Sequence, residues 1–185
     1  MKPILTINEP KIESVLFSPC EKYLLVYQPK NELAYTIWNF MTHEKIREFE
    51  QSIGEDGNSF KWSYDGTLLA KISKKAIPKA ENAPEDEEEK FKSFITVYGL
   101  PSMQMLEDSD GNRTSIPVDG IKEFVFAPHR NMIIHTSFPG DQNVFPRITF
   151  VDLPSRQVLH MHTAKDSQEL TLYIHPQGNY VACMN

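Results

Sequence analysis

Few side chains in this sequence have types and spacings that could do chemistry, and each has a simpler structural reading. His160 and His162 lie two apart in an alternating segment. They therefore face the same side of one strand, where a pair of imidazoles could begin a metal site. No third ligand lies nearby in the sequence, and the pair reads as two surface histidines on an outer strand. Ser63, Asp65 and His175 are the residue types of a hydrolytic triad. Asp65-Gly66, however, is a turn signal between two strands, and His175-Pro176 occupies the equivalent turn later in the chain. There is no Gly-x-Ser-x-Gly elbow, no phosphate-cradling glycine loop and no cysteine pair at zinc spacing. An enzyme is not expected, nor is a metal, a cofactor or a small-molecule substrate. What remains is the cationic side chain that holds phosphate or an acidic surface without reading sequence. Lys74, Lys75, Lys79, Arg130 and Arg147 are the candidate partner contacts, with ordinary solvated charge as the competing reading.

The elements that must position these residues show themselves by repetition. Val15-Leu16-Phe17-Ser18-Pro19, Phe60-Lys61-Trp62-Ser63-Tyr64, Phe124-Val125-Phe126-Ala127-Pro128 and Leu172-Tyr173-Ile174-His175-Pro176 share one pattern, an apolar run entering a turn. Taking Phe17, Trp62, Phe126 and Ile174 as anchors, the spacings are 45, 64 and 48 residues, near the 40 to 45 of a four-stranded propeller blade. Alternating β-branched and aromatic segments follow at 35–39, 94–98 and 147–152, and weaker ones at 45–49, 103–106 and 157–161. The expected fold is an all-β propeller of WD-repeat type, with about three complete four-stranded blades at 15–50, 60–107 and 124–162. A further blade begins at 170–185, and Ile4-Leu5-Thr6-Ile7 reads as the last strand of a preceding one, so the chain reads as a fragment of a larger propeller. Phe17, Trp38, Trp62, Tyr98 and Phe126 recur in register and are expected to pack between blades rather than to stack on bases.

Composition suits a folded β protein, with 40% apolar and 11% aromatic residues among 185. The net charge of −6 has a local origin: six acids and no base fall in residues 81–89, and the 25 acids less these six leave 19 against 19 bases. The folded part is therefore balanced, and no broad basic face for nucleic acid is visible in the totals. Residues 73–92, charged and holding two prolines, explain the 64-residue step as a charged, mobile surface-loop insertion. This loop is either a tolerated insertion or a docking loop. No apolar run is long enough to span a bilayer and no leader pattern opens the chain, so a soluble cytoplasmic protein is expected, with no membrane partner and with Cys20 and Cys183 as free thiols.

Read together, these segments resemble the propeller in the B subunit of eukaryotic translation initiation factor 3. The resemblance is carried by Phe17-Ser18-Pro19-Cys20-Glu21-Lys22-Tyr23-Leu24 with Tyr27-Gln28-Pro29, by Ile37-Trp38-Asn39, by Phe60-Lys61-Trp62-Ser63-Tyr64-Asp65 and by Gly120-Ile121-Lys122-Glu123-Phe124-Val125-Phe126-Ala127-Pro128. Leu153-Pro154-Ser155-Arg156-Gln157 and Gly178-Asn179-Tyr180-Val181 extend it. The tryptophan-aspartate pair of WD repeats survives as Trp38-Asn39, with Tyr98-Gly99 and Val151-Asp152 equivalent, so the usual aspartate-centred network is absent or altered. The resemblance implies a non-enzymatic scaffold in translation initiation. Its partners would be the small ribosomal subunit, protein and ribosomal RNA, and other subunits of factor 3, with the five cations above as candidate ribosome contacts. The RNA-recognition-type domain and helical tail of that family are not within these residues. The propeller of translation initiation factor 2A, or that of a peptidase whose catalytic domain lies outside the sequence, are the alternatives.

A propeller section leaves open sheet faces and edges when expressed alone. Size exclusion of the 185-residue chain should show oligomers or poor recovery, and a sharp monomer peak with a cooperative melt would contradict the fragment reading.

Overall fold

Alternating apolar and polar residues with β-branched and aromatic side chains favour pleated strands, and short polar turns return each strand antiparallel to the last. The computed structural model describes residues 6–7, 11–29, 31–52, 55–56, 58–77, 91–138, 145–165 and 170–184. The first sheet is the meander β1 (Ser14–Phe17), β2 (Tyr23–Tyr27), β3 (Tyr35–Asn39) and β4 (Glu44–Phe49). The second holds β5 (Phe60–Trp62), β6 (Leu68–Ala76), β7 (Phe91–Gly99), β8 (Gln104–Met105) and β9 (Ile116–Pro117). The third is β10 (Ile121–Phe126), β11 (Met132–Ser137), β12 (Arg147–Asp152) and β13 (Val158–Thr163). β14 (Thr171–Ile174) pairs with β15 (Val181–Met184) in a two-stranded sheet. β10 touches both β5 and β14, and the Trp62 indole Nε1–H donates to the Leu16 carbonyl of β1 at 3.3 Å. The first strands thus gather on the inside, while β13 on the outside is exposed along its length. This is the propeller-type, all-β architecture.

Two boundaries differ from the sequence reading. The second sheet does not end at 107: after an excursion through 106–115, β9 returns to β7 in the register Phe94↔Pro117 and Ile95↔Ile116. The insertion is also shorter than 73–92. Residues 73–76 and 91–92 continue the β6–β7 hairpin, pairing Ser73↔Phe94, Lys74↔Ser93, Lys75↔Lys92 and Ala76↔Phe91. High charge suggested a loop, but ladder hydrogen bonds use only the backbone, and the Lys75 ammonium lies over the Phe94 ring at 5.6 Å. The acidic run 81–89, Lys79 and the first two residues of the strand read at 4–7 fall outside the described residues, and Thr6 and Ile7 are not in a strand.

No sheet has a core of its own; burial occurs between consecutive sheets. Tyr35, Ile37, Phe60, Trp62, Leu69 and Tyr98 fill the space between the first and second. Ala70, Ile95, Phe124, Phe126, Ile133 and Val151 fill that between the second and third, and Ile134, Ile148 and Leu172 that between the third and β14–β15. Adjacent Leu68, Leu69 and Ala70 are therefore all buried, with Leu69 facing one neighbour and the other two facing the next. Each anchor points back to the preceding sheet: Trp62 into the first interface, Phe126 into the second and Ile174 against the third. The expectation that Phe17 is core fails on this point. It keeps the register, opposite Leu24, but no described sheet packs on that face, so it is 52% exposed and meets Phe40 edge-on. Trp38 shares the face, half-buried.

Among the polar groups buried in these interfaces are a Lys71–Glu55 pair and a histidine. Lys71 Nζ is 3.0 Å from Glu55 Oε2, with both side chains buried, and it also donates to the Glu50 carbonyl at 3.1 Å. Its ammonium sits 5.6 Å from the rings of Tyr35, Phe49 and Phe60, so the π faces and one carboxylate replace its water. Glu55 Oε2 accepts the Ser52 N–H at 2.8 Å, while Oε1 has no partner. Burial, with the Glu55 charge nearby, pushes the Tyr35 hydroxyl well above the usual tyrosine range. Between the second and third sheets lies His135, 5% exposed and with Nδ1 unpartnered. Burial pushes its pKa down to about 4.

Lys71→Met leaves the Glu55 carboxylate buried and uncompensated and should destabilise the fold by about 3–5 kcal/mol. Adding Glu55→Gln should recover much of that in denaturant melts. His135 stays neutral when folded and ionises readily when unfolded, so its contribution is complete above about pH 6.5 and is lost as pH falls toward about 4, amounting to about 3 kcal/mol. His135→Leu should flatten that part of the stability profile, and an unchanged slope between those values would refute the assignment.

Candidate nucleic-acid interface

In an up-and-down meander, successive connections alternate between the two ends of the sheet. The turns after each first and third strand share one end, and those after each second and fourth strand share the other. This single rule separates the candidate cations. Arg130, exposed in the β10–β11 turn, lies at the first end. Lys74, Lys75 and Arg147 lie toward the second, in the projecting hairpin and at the start of β12. The four described cations therefore do not form one site.

The first end is built from repeated tight turns. Ser18 N–H donates to the Tyr23 carbonyl and Ser63 N–H to the Leu68 carbonyl, both at 2.9 Å. Each serine hydroxyl then accepts the amide five residues on, at 3.0 Å from Tyr23 and 2.8 Å from Leu68. Asp65, one of the triad types, is used here. It accepts from the Ser63 hydroxyl at 2.7 Å and from Thr67 N–H and Oγ1–H at 3.0 and 2.8 Å. Burial pushes its carboxyl upward, but these bonds prevail and hold it below the ordinary range. His175 contacts Tyr180 edge-on and accepts the Gln177 N–H at its own turn. The three thus belong to turns and form no relay. Each turn also packs on its neighbour: at Gly66, with φ of +69°, an added Cβ would lie 2.6 Å from Cys20 Sγ, and at Gly178, with φ of +71°, 2.7 Å from the Pro128 carbonyl oxygen. Only glycine meets both demands.

The residues at the WD position close the turns after the third strands. Asn39 Oδ1 accepts the Met41 and Thr42 amides at 2.9 and 3.1 Å, and Asp152 accepts the Ser155 hydroxyl. The altered network anticipated from the sequence is thus a local capping role. Beyond Asp152, Arg156 reaches back to the second sheet, donating to Asp108 Oδ2 at 2.9 Å and to the Leu106 carbonyl at 2.8 Å. Backbone amides from Asn112 and Asp110, with the Arg156 charge, hold the Asp108 carboxyl below its usual range. Arg47 ties the first two sheets in the same manner, through the Met103 carbonyl and the faces of Phe49 and Tyr98.

The second end carries cations that sequence spacing did not gather. Lys75 and Lys92 are direct cross-strand partners near the tip of the described hairpin and both are exposed. From there a chain of backbone hydrogen bonds crosses the end of the third sheet. Val118 N–H donates to the Ser93 carbonyl at 2.9 Å, Phe138 N–H to the Gly120 carbonyl at 2.7 Å, and Ala164 N–H to the Pro146 carbonyl at 2.9 Å. Ser137 lies opposite Arg147. Lys122 and Lys165 follow Gly120 and Ala164 along this path, both exposed. Lys92, Lys122 and Lys165 are the residues the sequence reading missed, since 30 and 43 positions separate them. Beside Lys122 a cavity of about 230 Å³ opens between the third sheet and β14, with Thr136 and Ser137 among its walls. The buried Thr136 hydroxyl has no partner.

No family model matches the chain. Among curated relatives, the B subunit of eukaryotic translation initiation factor 3 from Xenopus laevis is 25% identical over 185 residues, covering 97% of this chain and 23% of the relative. The same subunit from Drosophila melanogaster is 26% identical over 174 residues, covering 93% of this chain and 22% of the relative. The chain thus spans about a quarter of the length of the relatives it matches. Among solved structures, the crystal structure of a eukaryotic initiation factor superposes with a TM-score of 0.71 at 16% identity, covering 98% of this chain and 41% of that one; this likeness concerns the fold. The segments from Phe17-Ser18-Pro19 through Gly178-Asn179-Tyr180-Val181 thus resemble, along nearly the whole chain, the B subunit of eukaryotic translation initiation factor 3.

Proposed function

We propose that this chain is a scaffold segment in translation initiation, presenting rigid turns and sheet ends to the small ribosomal subunit and to other factor 3 subunits, without catalysis of its own. The observation that carries this reading is the similarity to the factor 3 B subunit across more than nine-tenths of the chain, and it favours that protein over the factor 2A and peptidase propellers. The physical design agrees with it. Interlocking sheets tied by Arg47, Arg156 and the Lys71–Glu55 pair hold the sheet ends at fixed separations, which lowers the ordering cost of binding a large partner. The residue types that suggested hydrolysis are occupied as turn-closing groups. A cytoplasmic location belongs to the same proposal; no helix among the described residues is long and apolar enough to cross a membrane.

The full-length protein should be retained with purified small ribosomal subunits and with other factor 3 subunits in a pull-down, and a protein that binds neither would overturn the scaffold reading.

A further inference from the structure

We infer that the cavity between the third sheet and β14 is a binding site for a free amino acid with an apolar side chain, its ammonium held by Glu123 and Thr136 and its carboxylate by Lys122. The first ground is an unmet hydrogen bond. Thr136 is 2% exposed and its hydroxyl has no partner among the described residues, although it lines the cavity. A buried hydroxyl without a partner lowers stability. Here it borders space that a ligand can fill. Ser63 and Asp65, in the cleft at the other end of the second and third sheets, instead bond to each other and to their own turn.

The second ground is a β-bulge in β10. Ile121 stands opposite Ser137 and Glu123 opposite Thr136, which leaves Lys122 as the extra residue. A bulge re-aims side chains that a regular strand would send to alternate faces. Ile121 accordingly packs toward the second sheet, whereas Lys122 and Glu123 both line the cavity. Glu123 Oε2 is fixed by the Leu172 N–H at 3.2 Å, and its Oε1 has no partner among the described residues. Lys122 and Glu123 form no ion pair with each other. Opposite charges held apart on one wall match a zwitterion, which presents both signs from one carbon. Phe138, Pro146 and Leu170 supply the apolar walls, so the side chain is apolar. Size agrees: about 150 Å³ holds the six heavy atoms of benzene, and about 230 Å³ takes a ligand half as large again, such as leucine. Asp141, Asp166 and Glu169 lie outside the described residues, so the role of Lys122 is tested by substitution. The site goes beyond the scaffold reading and does not rest on it.

The test titrates the full-length protein with L-leucine by isothermal titration calorimetry at neutral pH. Leucine should bind saturably, in the micromolar to millimolar range that so few atoms allow. Leucinamide, which lacks the carboxylate, and isocaproate, which lacks the ammonium, should each bind at least tenfold more weakly. Lys122→Met, at an exposed position, should abolish the preference for leucine over leucinamide. Glu123→Gln, which keeps an oxygen for the Leu172 amide, should abolish the preference for leucine over isocaproate. Thr136→Val has the same shape without the hydroxyl. It should weaken leucine binding while leaving the melting temperature of the ligand-free protein unchanged or higher, whereas a fall in that temperature would make the hydroxyl structural and overturn its role. No saturable heat with leucine, unchanged preferences in Lys122→Met and Glu123→Gln, or tighter binding of glucose, a neutral polyol, would each overturn the site. The titration and the pull-down succeed or fail separately, so loss of this site leaves the scaffold reading in place.

Discussion

Face-to-face packing between consecutive sheets is the constraint on which everything else in this molecule depends. A sheet one residue thick has no interior, so its apolar side chains leave water only when another sheet covers them. Tyr35 and Phe60 lie at 0% and 1% exposure because each packs on the other's sheet, and Phe124 and Ile133 are covered in the same way one interface later. Strands in the middle sheets must be apolar on both faces. Leu68, Leu69 and Ala70 are consecutive and all buried for that reason, whereas the outermost β13 pairs with β12 but is covered by no described sheet and is exposed throughout.

Burial of this kind sets the terms for the charged groups. A lysine in an interface is stable only where other groups replace its hydration, and Lys71 has a carboxylate, a carbonyl and three ring faces to do so. His135 has no such compensation and remains neutral instead. At the rims, where water competes, arginine is the tie that suits the geometry. The planar fork of Arg156 spans a carboxylate and a carbonyl of the preceding sheet at once, and Arg47 combines one carbonyl with two ring faces. Hydrophobic interfaces and polar ties together fix one sheet relative to the next, and with them the spacing of the connections at either end.

The two ends put that rigidity to different uses. Turn residues at one end are absorbed in closing the turns themselves, which is why Ser63 and Asp65 could resemble catalytic groups by type without being so arranged. Connections at the other end vary in length, and the longest of them extends β6 and β7 past their neighbours. The proposed scaffold role would draw on this combination: closed turns that hold the sheets and longer connections that reach out.

The order of residue types along the chain settled the all-β fold and the resemblance to an initiation factor subunit, but not the fifth strand, β9, that the second sheet gains. An alternating strand and a turn of Ser, Pro, Asp or Gly are each local, and their physics is decided by neighbours in sequence. The inward register of Trp62, Tyr98 and Phe126 was legible for the same reason. What the sequence could not settle was anything that depends on a surface being covered or on distant residues meeting. Phe17 has the same pattern as Trp62 yet stays half exposed, since burial belongs to the pair of sheets and not to the strand. Lys74 and Lys75 looked like loop residues because charge was visible and backbone pairing was not. Lys92, Lys122 and Arg147 share one end only because antiparallel meanders return each strand to the same level, and a list of basic residues does not contain that geometry. Local pattern determined the parts; the contact between sheets decided which faces are core and which charges stand together.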